Sequence, residues 1–136
     1  MLYLLSIGNH PDLDYRGGQA PIVHLQFGLA EGVDWASASG RRWAFTLSNA
    51  GASFFEDRAD LADLREINWE AVGARDFRDP DIKEGKQAEF LVERSVPWPL
   101  VEEIGVHRFC PSQSVNAALR GITHRPPVVV RPEWYY

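Results

Sequence analysis

The sequence predicts an α+β fold. Short runs rich in aromatic and β-branched residues recur along the 136 residues, and a well-signalled helical period occurs only from residue 112 onward. Eleven glycines and nine prolines punctuate these runs without forming a repeat, a low-complexity tract or a linker. Several antiparallel-looking strands with few, short helices make an α+β arrangement. A chain of this length fits one domain, 1–136, with a core large enough to need no covalent staple.

The first element is the apolar "MLYLL". With no polar lead-in or cap it reads either as an interior segment whose upstream partner is absent or as a first core strand or helix. The loop "NHPDLDYRGGQAP" follows, in which Gly17 and Gly18 permit a tight turn and Pro21 suits the start of a strand. That strand, 21–27, places Val23, Leu25 and Phe27 on one face and Ile22, His24 and Gln26 on the other. His24 reads as a satisfied strand histidine. "RRWAFTL", 41–47, is a second strand. Ser48 or Asn49 is then expected to cap a short helix that carries Phe54 and Phe55 inward. Leu61, Leu64, Ile67 and Trp69 recur at mixed spacing, as in short helical turns packed on a sheet.

The stretch "RDFRDPDIKEGKQ" intersperses Arg75, Arg78, Lys83 and Lys86 with Asp76, Asp79, Asp81 and Glu84, and reads as a long mobile loop. A strand over 88–96 comes next, with Ala88, Phe90 and Val92 on an apolar face and Gln87, Glu89, Leu91 and Glu93 on the other. Pro97 and Pro99 break it. "LVEEIGVHRF" is a further strand. Ser112 is placed to cap a helix with Val115, Ala118, Leu119 and Ile122 on one stripe and Gly121 as its stop. Val128 to Val130 form a last short strand, and the tail Trp134, Tyr135, Tyr136 closes the core.

The composition excludes several function classes. Fourteen basic against nineteen acidic side chains give a net charge of −5, which opposes gripping duplex DNA by charge alone. Single strands stay open, because aromatic stacking shares the work there. Cys110 is the one cysteine, so no internal disulfide forms and a reducing, cytoplasmic compartment is expected, with Cys110 as a packed thiol. No apolar run has the length of a membrane span. His10, His24, His107 and His124 lie far apart and no pair has metal-ligand spacing on a helix, so no metal is expected. Phosphate-loop and dinucleotide fingerprints are missing, and Ser48, Ser53 and Cys110 lack the elbow glycines of a nucleophile.

Glu89 and the charged loop before it remain. One reading is a half-buried strand with its acids in water. The other is a carboxylate held at the rim of a cleft, where it stabilises the positive charge that builds on an anomeric carbon as a glycosidic bond loosens. A strand supplies the stiff mount this needs, and a preceding loop can close over the acceptor.

"YRGGQAPIVHLQF", "WAFTLSNAGA", "KQAEFLV", "PWPLVEEIGV" and "HRPPVVVRPEWYY", in this order and spacing, closely resemble the DarT family of bacterial toxins, over essentially the whole chain. The resemblance implies an ADP-ribosyltransferase-like split mixed β-sheet with short flanking helices, an NAD cleft, and a catalytic glutamate on a strand preceded by a substrate-recognition loop. It implies transfer of ADP-ribose from NAD, a co-substrate, to a base of single-stranded DNA, with thymine expected. The implied partner is DarG, a macrodomain antitoxin that removes the mark.

Carried over by position, Glu89 matches the catalytic glutamate, and Gln87 matches the first member of a Gln/Glu-x-Glu arrangement. Asn49 aligns with a position where some members carry histidine near the active site, and with Gln87 it is assigned to the NAD side. The loop 75–86 corresponds to the recognition loop, with Arg75, Arg78, Lys83 and Lys86 meeting DNA phosphates and Phe77 stacking on a base. "YRGG", Tyr15 to Gly18, belongs to the family pattern without an assigned role; a glycine turn with Tyr15 packed and Arg16 paired is its structural reading. Family members carry an upstream portion with much of the dinucleotide site and a catalytic arginine. The expectation is therefore an N-terminally incomplete domain, and the rival reading is a truncated, inactive module that binds single-stranded DNA or a protein.

Overall fold

The computed structural model describes residues 14–76 and 78–136, with the side chain of Cys110 left aside. The expectations for "MLYLL", His10, Phe77 and the packing of Cys110 lie outside the described residues. The elements in chain order are β1 (Val23–Gln26), α1 (Leu29–Ala38), β2 (Trp43–Thr46), β3 (Asp57–Arg58), a 3-10 helix (Leu61–Glu66), α2 (Trp69–Gly73), α3 (Pro80–Gly85), β4 (Phe90–Val92), a 3-10 turn (Trp98–Leu100), β5 (Glu103–Val106), α4 (Phe109–Ala118), β6 (Val128–Val130) and a 3-10 turn (Pro132–Trp134). The strands form two three-stranded sheets, so the α+β class and the split sheet expected above are what the chain adopts. Its contacts divide it into two compact units, Met1–Gly32 with Pro97–Tyr136, and Val33–Val96. No helix among the described residues is long and apolar enough to cross a membrane.

The first unit is built on β5. β1 pairs with it antiparallel, Val23 opposite Val106, and β6 pairs parallel, Ile104 opposite Val128, so this sheet is mixed. Val101, Ile104 and Val106 are buried, with Val23, Trp98, Val115, Leu119 and Val128 packed around them. Gly105 is required at the centre of β5 because the Trp134 ring occupies the space that a Cβ would take. Of the tail expected to close this core, Tyr135 is buried and Trp134 half-buried, whereas Tyr136 is exposed. The Tyr135 hydroxyl lies 2.7 Å from the Ile22 carbonyl, and the Gln19 carboxamide receives the Tyr136 N–H at 2.9 Å. Arg131 grips Glu103 through two bonds of 2.7 and 3.0 Å and holds that carboxylate below its usual range.

Two expectations in this unit are corrected. His24 is packed edge-on against Trp134 and Tyr135, and its Nε2 is buried without a hydrogen-bond partner among the described residues. Ring edges surround it instead of acceptors, and burial lowers its pKa. The helix starts at Phe109, three residues before Ser112. The buried Ser112 hydroxyl turns back to donate to the Phe109 carbonyl at 2.6 Å rather than capping, and Pro111 is tolerated because it falls in the first turn.

The second unit centres on β2, flanked by β3 and β4, both antiparallel to it. Phe45 is buried in the middle. The sequence reading missed α1, although Leu29, Val33 and Ala36 are spaced as one helical stripe, and Val33 and Ala36 are buried. Its stop signal was also present. Gly40, at φ 62°, ends it in a Schellman arrangement, with Arg41 N–H reaching the Ala36 carbonyl at 2.8 Å and Gly40 N–H the Ser37 carbonyl at 3.2 Å.

The expected helix at Ser48 or Asn49 does not form. Asn49 Oδ1 accepts the Gly51 N–H at 2.8 Å in a local turn, and Phe54 and Phe55 are exposed rather than turned inward. The long loop 75–87 is not structureless either. Asp79 Oδ1 caps the first turn of α3 at 2.8 Å and Pro80 sits at its first position, which the sequence "DPD" signals. Gly85 ends this helix against α2, where a Cβ would stand 2.9 Å from that of Ala71.

Candidate active site

The second unit contains the acidic residue singled out by the sequence. The strand expected over 88–96 is shorter, Phe90–Val92, because Arg94 takes a positive φ of 70° just beyond it. Glu89 therefore stands one residue before β4. The register Trp43 to Val92, Ala44 to Leu91 and Phe45 to Phe90 continues, so that Thr46 lies opposite Glu89.

The backbone of Glu89 is fastened on both sides of its peptide. Thr46 N–H donates to the Glu89 carbonyl at 2.8 Å, and Glu89 N–H donates to the Thr46 hydroxyl at 3.0 Å. Thr46 is fully buried, and its hydroxyl donates in turn to the Ser48 carbonyl at 2.6 Å. The Glu89 side chain is exposed, and among the described residues its carboxylate makes no hydrogen bond or ion pair. An anchored main chain carrying an uncommitted carboxylate suits a group that must meet a charge developing on a bound substrate. Glu93 contrasts with it. Arg42 approaches Glu93 at 3.5 Å and holds its carboxyl below the ordinary range.

Gln87 is exposed two residues earlier, and its carboxamide donates to the Lys83 carbonyl at 3.0 Å, which folds it back on the end of α3. Asn49 is half-buried and committed to its own turn. The link between it and Glu89 is indirect, through Thr46 and Ser48.

The loop cations differ in availability. Arg78 is exposed and paired with Asp76 at 2.5 Å, which lowers the pKa of that carboxyl. The Lys86 ammonium donates to the Val72 carbonyl at 2.9 Å. Lys83 and Arg75 are exposed, and Lys83 makes no ion pair among the described residues. Among those residues no group of three or more His, Cys, Asp or Glu side chains is arranged to hold a metal. Thr46 is the functional candidate that the sequence did not reveal. A polar residue ending an apolar strand was the signal, but its partner lies 43 positions away and no local pattern gives that register.

Comparison with known proteins finds a family for the chain. The family model DarT, described as ssDNA thymidine ADP-ribosyltransferase, matches residues 1–136. A DNA ADP-ribosyl transferase from Thermus sp. (strain 2.9) is 37% identical over 139 residues, covering 100% of this chain and 63% of the relative. One from Mycobacterium tuberculosis is 26% identical over 141 residues, covering 100% and 58%. Among solved structures, Thermus sp. 2.9 DarT in complex with ADP-ribosylated ssDNA aligns at TM-score 0.88 and 33% identity, covering 99% of this chain and 63% of that one. The same protein in complex with NAD+ aligns at 0.87 and 33% identity, covering 99% and 66%. The chain thus spans 58 to 63% of the length of these two curated relatives.

Proposed function

The chain belongs to the DarT family, and from that premise we propose that the protein transfers ADP-ribose from NAD to a thymine base of single-stranded DNA. It acts as the toxin of a toxin–antitoxin pair in the bacterial cytoplasm, with a DarG-like macrodomain antitoxin as its partner. The family match over residues 1–136 and the structural neighbours described with NAD+ and with ADP-ribosylated ssDNA support this reading.

In this reading Glu89 is the catalytic residue. The bond from the ribose anomeric carbon to nicotinamide breaks, nicotinamide leaves with the bonding pair as a neutral molecule, and the ribose becomes oxocarbenium-like. The Glu89 carboxylate holds the ribose hydroxyls and stabilises that charge. A bond then forms from the anomeric carbon to the thymine ring nitrogen, whose proton passes to Glu89 or to solvent. Gln87 and Asn49 lie on the NAD side. Arg75, Phe77, Arg78, Lys83 and Lys86 belong to the loop that receives the DNA strand, the cations against phosphates and Phe77 against a base.

The mount of Glu89 carries the proposal: a peptide fixed to Thr46 on both sides with an exposed carboxylate and no partner among the described residues. In the full natural protein, supplied with NAD and a thymine-containing oligonucleotide, Glu89→Ala is expected to reduce modification by roughly 10²-fold or more. Its thermal midpoint should stay at the wild-type value, since the side chain is exposed and its carboxylate makes no hydrogen bond or ion pair among the described residues. Undiminished modification by this variant would reject the assignment.

A further inference from the structure

We propose that Thr46 is a positioning residue for the transferase reaction, acting through Glu89; this rests on the assignment of Glu89 as the catalytic group. Thr46 opposes Glu89 in a hydrogen-bonded pair of the antiparallel ladder, because Thr46 N–H donates to the Glu89 carbonyl at 2.8 Å. In a regular pair of this kind the return bond runs from the Glu89 N–H to the Thr46 carbonyl. Here it runs to the Thr46 hydroxyl, at 3.0 Å. The side chain has taken a ladder position from the main chain, and the regular strand β4 begins only at the next residue, Phe90. The same hydroxyl spends its one proton on the Ser48 carbonyl at 2.6 Å, so a single oxygen ties the Glu89 peptide to the turn that carries Asn49.

The site of this junction gives it consequence. Thr46 is fully sequestered from solvent while Glu89 is exposed, and among the described residues no hydrogen bond or ion pair holds the carboxylate, so its orientation is set from below by its peptide. Without the hydroxyl, the Glu89 N–H is free to return to the regular ladder partner and the carbonyl of half-buried Ser48 loses this donor. Both changes turn the Glu89 Cα–Cβ direction. A displacement of about 1 Å at a reacting group is enough to reduce a rate by roughly 10²-fold.

Thr46→Val, which keeps the shape and removes the hydroxyl, is expected to lower kcat by ~10–10²-fold with little change in KM for NAD, and Thr46→Ser is expected to restore most of kcat. A role confined to folding would instead lower the thermal midpoint of Thr46→Val and leave kcat of the folded fraction intact. Wild-type kcat in folded Thr46→Val, or equal impairment in Thr46→Ser, overturns the proposal. Should Thr46→Val not fold, amide hydrogen exchange on the wild-type protein provides the test: the Glu89 amide must be protected although its side chain is exposed, and exchange at the rate of an open loop overturns it. Glu89→Ala is assayed in parallel. Loss of activity there with full activity in Thr46→Val sinks the positioning role alone, whereas activity retained in Glu89→Ala sinks the catalytic assignment on which it depends.

Discussion

His24 illustrates how a single buried group makes stability depend on pH. Its ring centroid lies 4.7 Å from that of Tyr135 and 5.8 Å from that of Trp134, and its Nε2 is buried without a hydrogen-bond partner among the described residues; burial disfavours the charged form and the pKa falls below the ordinary 6.5. Because the unfolded chain takes up this proton more readily, the contribution of neutral His24 is fully present above pH 6.5 and is lost as the pH falls through that value toward the lower folded pKa. The Glu103 carboxylate, held low by Arg131, has the acidic window instead. Its contribution is complete above pH 4.5 and is lost only below it. The thermal midpoint should therefore decline between about pH 7.5 and 5.5, before carboxylates titrate. His24→Phe keeps an aromatic ring against Trp134 and Tyr135 but removes the titration, and scanning calorimetry across this range should find its decline reduced. An unchanged pH slope would assign the acid sensitivity to another group.

Among the elements, the pair α2 and α3 depends on the smallest residue at its contact. Gly85 is buried, and a Cβ there would stand 2.9 Å from the Ala71 Cβ and 3.3 Å from the Asn68 Cβ, atoms that lie too close to the backbone to swing aside. Gly85→Ala gains helix propensity but overpacks the contact, and urea unfolding should record a net loss of about 1–3 kcal/mol; a gain would mean that the two short helices separate freely. That α3 exists at all was legible in Asp79 and Pro80, a cap and a first-turn proline, yet the density of charge around them reads as a loop. Charge reports solvent exposure, and a short exposed helix is as charged as a coil. α1 is hard to read for a related reason: its stripe of Leu29, Val33 and Ala36 is short and ends on a small residue, and Gly40 is informative only if the preceding helix is already suspected. The strands were more legible, because alternation over 23–26 and short aromatic and β-branched runs over 43–46, 90–92 and 128–130 survive in a short window. At the candidate site, Glu89 emerged from motif resemblance joined to strand context. Thr46 did not, since its importance lies in a cross-strand register that is fixed by tertiary pairing.

At the scale of the whole molecule, charge sets the terms on which the DNA substrate proposed above would be met. The net charge of −5 means that a phosphate backbone experiences average repulsion, so local cations must supply the attraction, and its strength must decline with salt. In the proposed reading, in which the segment 75–86 receives the DNA strand, its cations are not equivalent in this respect. Arg78 must surrender a 2.5 Å pair with Asp76 before it meets a phosphate, and the Lys86 ammonium must leave the Val72 carbonyl. Lys83, exposed on the last turn of α3 with no ion pair among the described residues, has no such internal competitor. Each phosphate neutralised on a single strand contributes a slope of about −0.7 to log affinity against log salt. Fluorescence anisotropy with a labelled thymine-rich oligonucleotide, across roughly 50 to 200 mM salt, should give Lys83→Ala a slope shallower by about 0.7 and a weaker affinity at every salt concentration. Arg78→Ala should change the slope less, because neutralising a phosphate there exposes Asp76 at the same time. Equal losses from the two variants would mean that the Asp76–Arg78 pair is broken at no net disadvantage when DNA binds, and a slope unaffected by either would move the DNA path away from this loop.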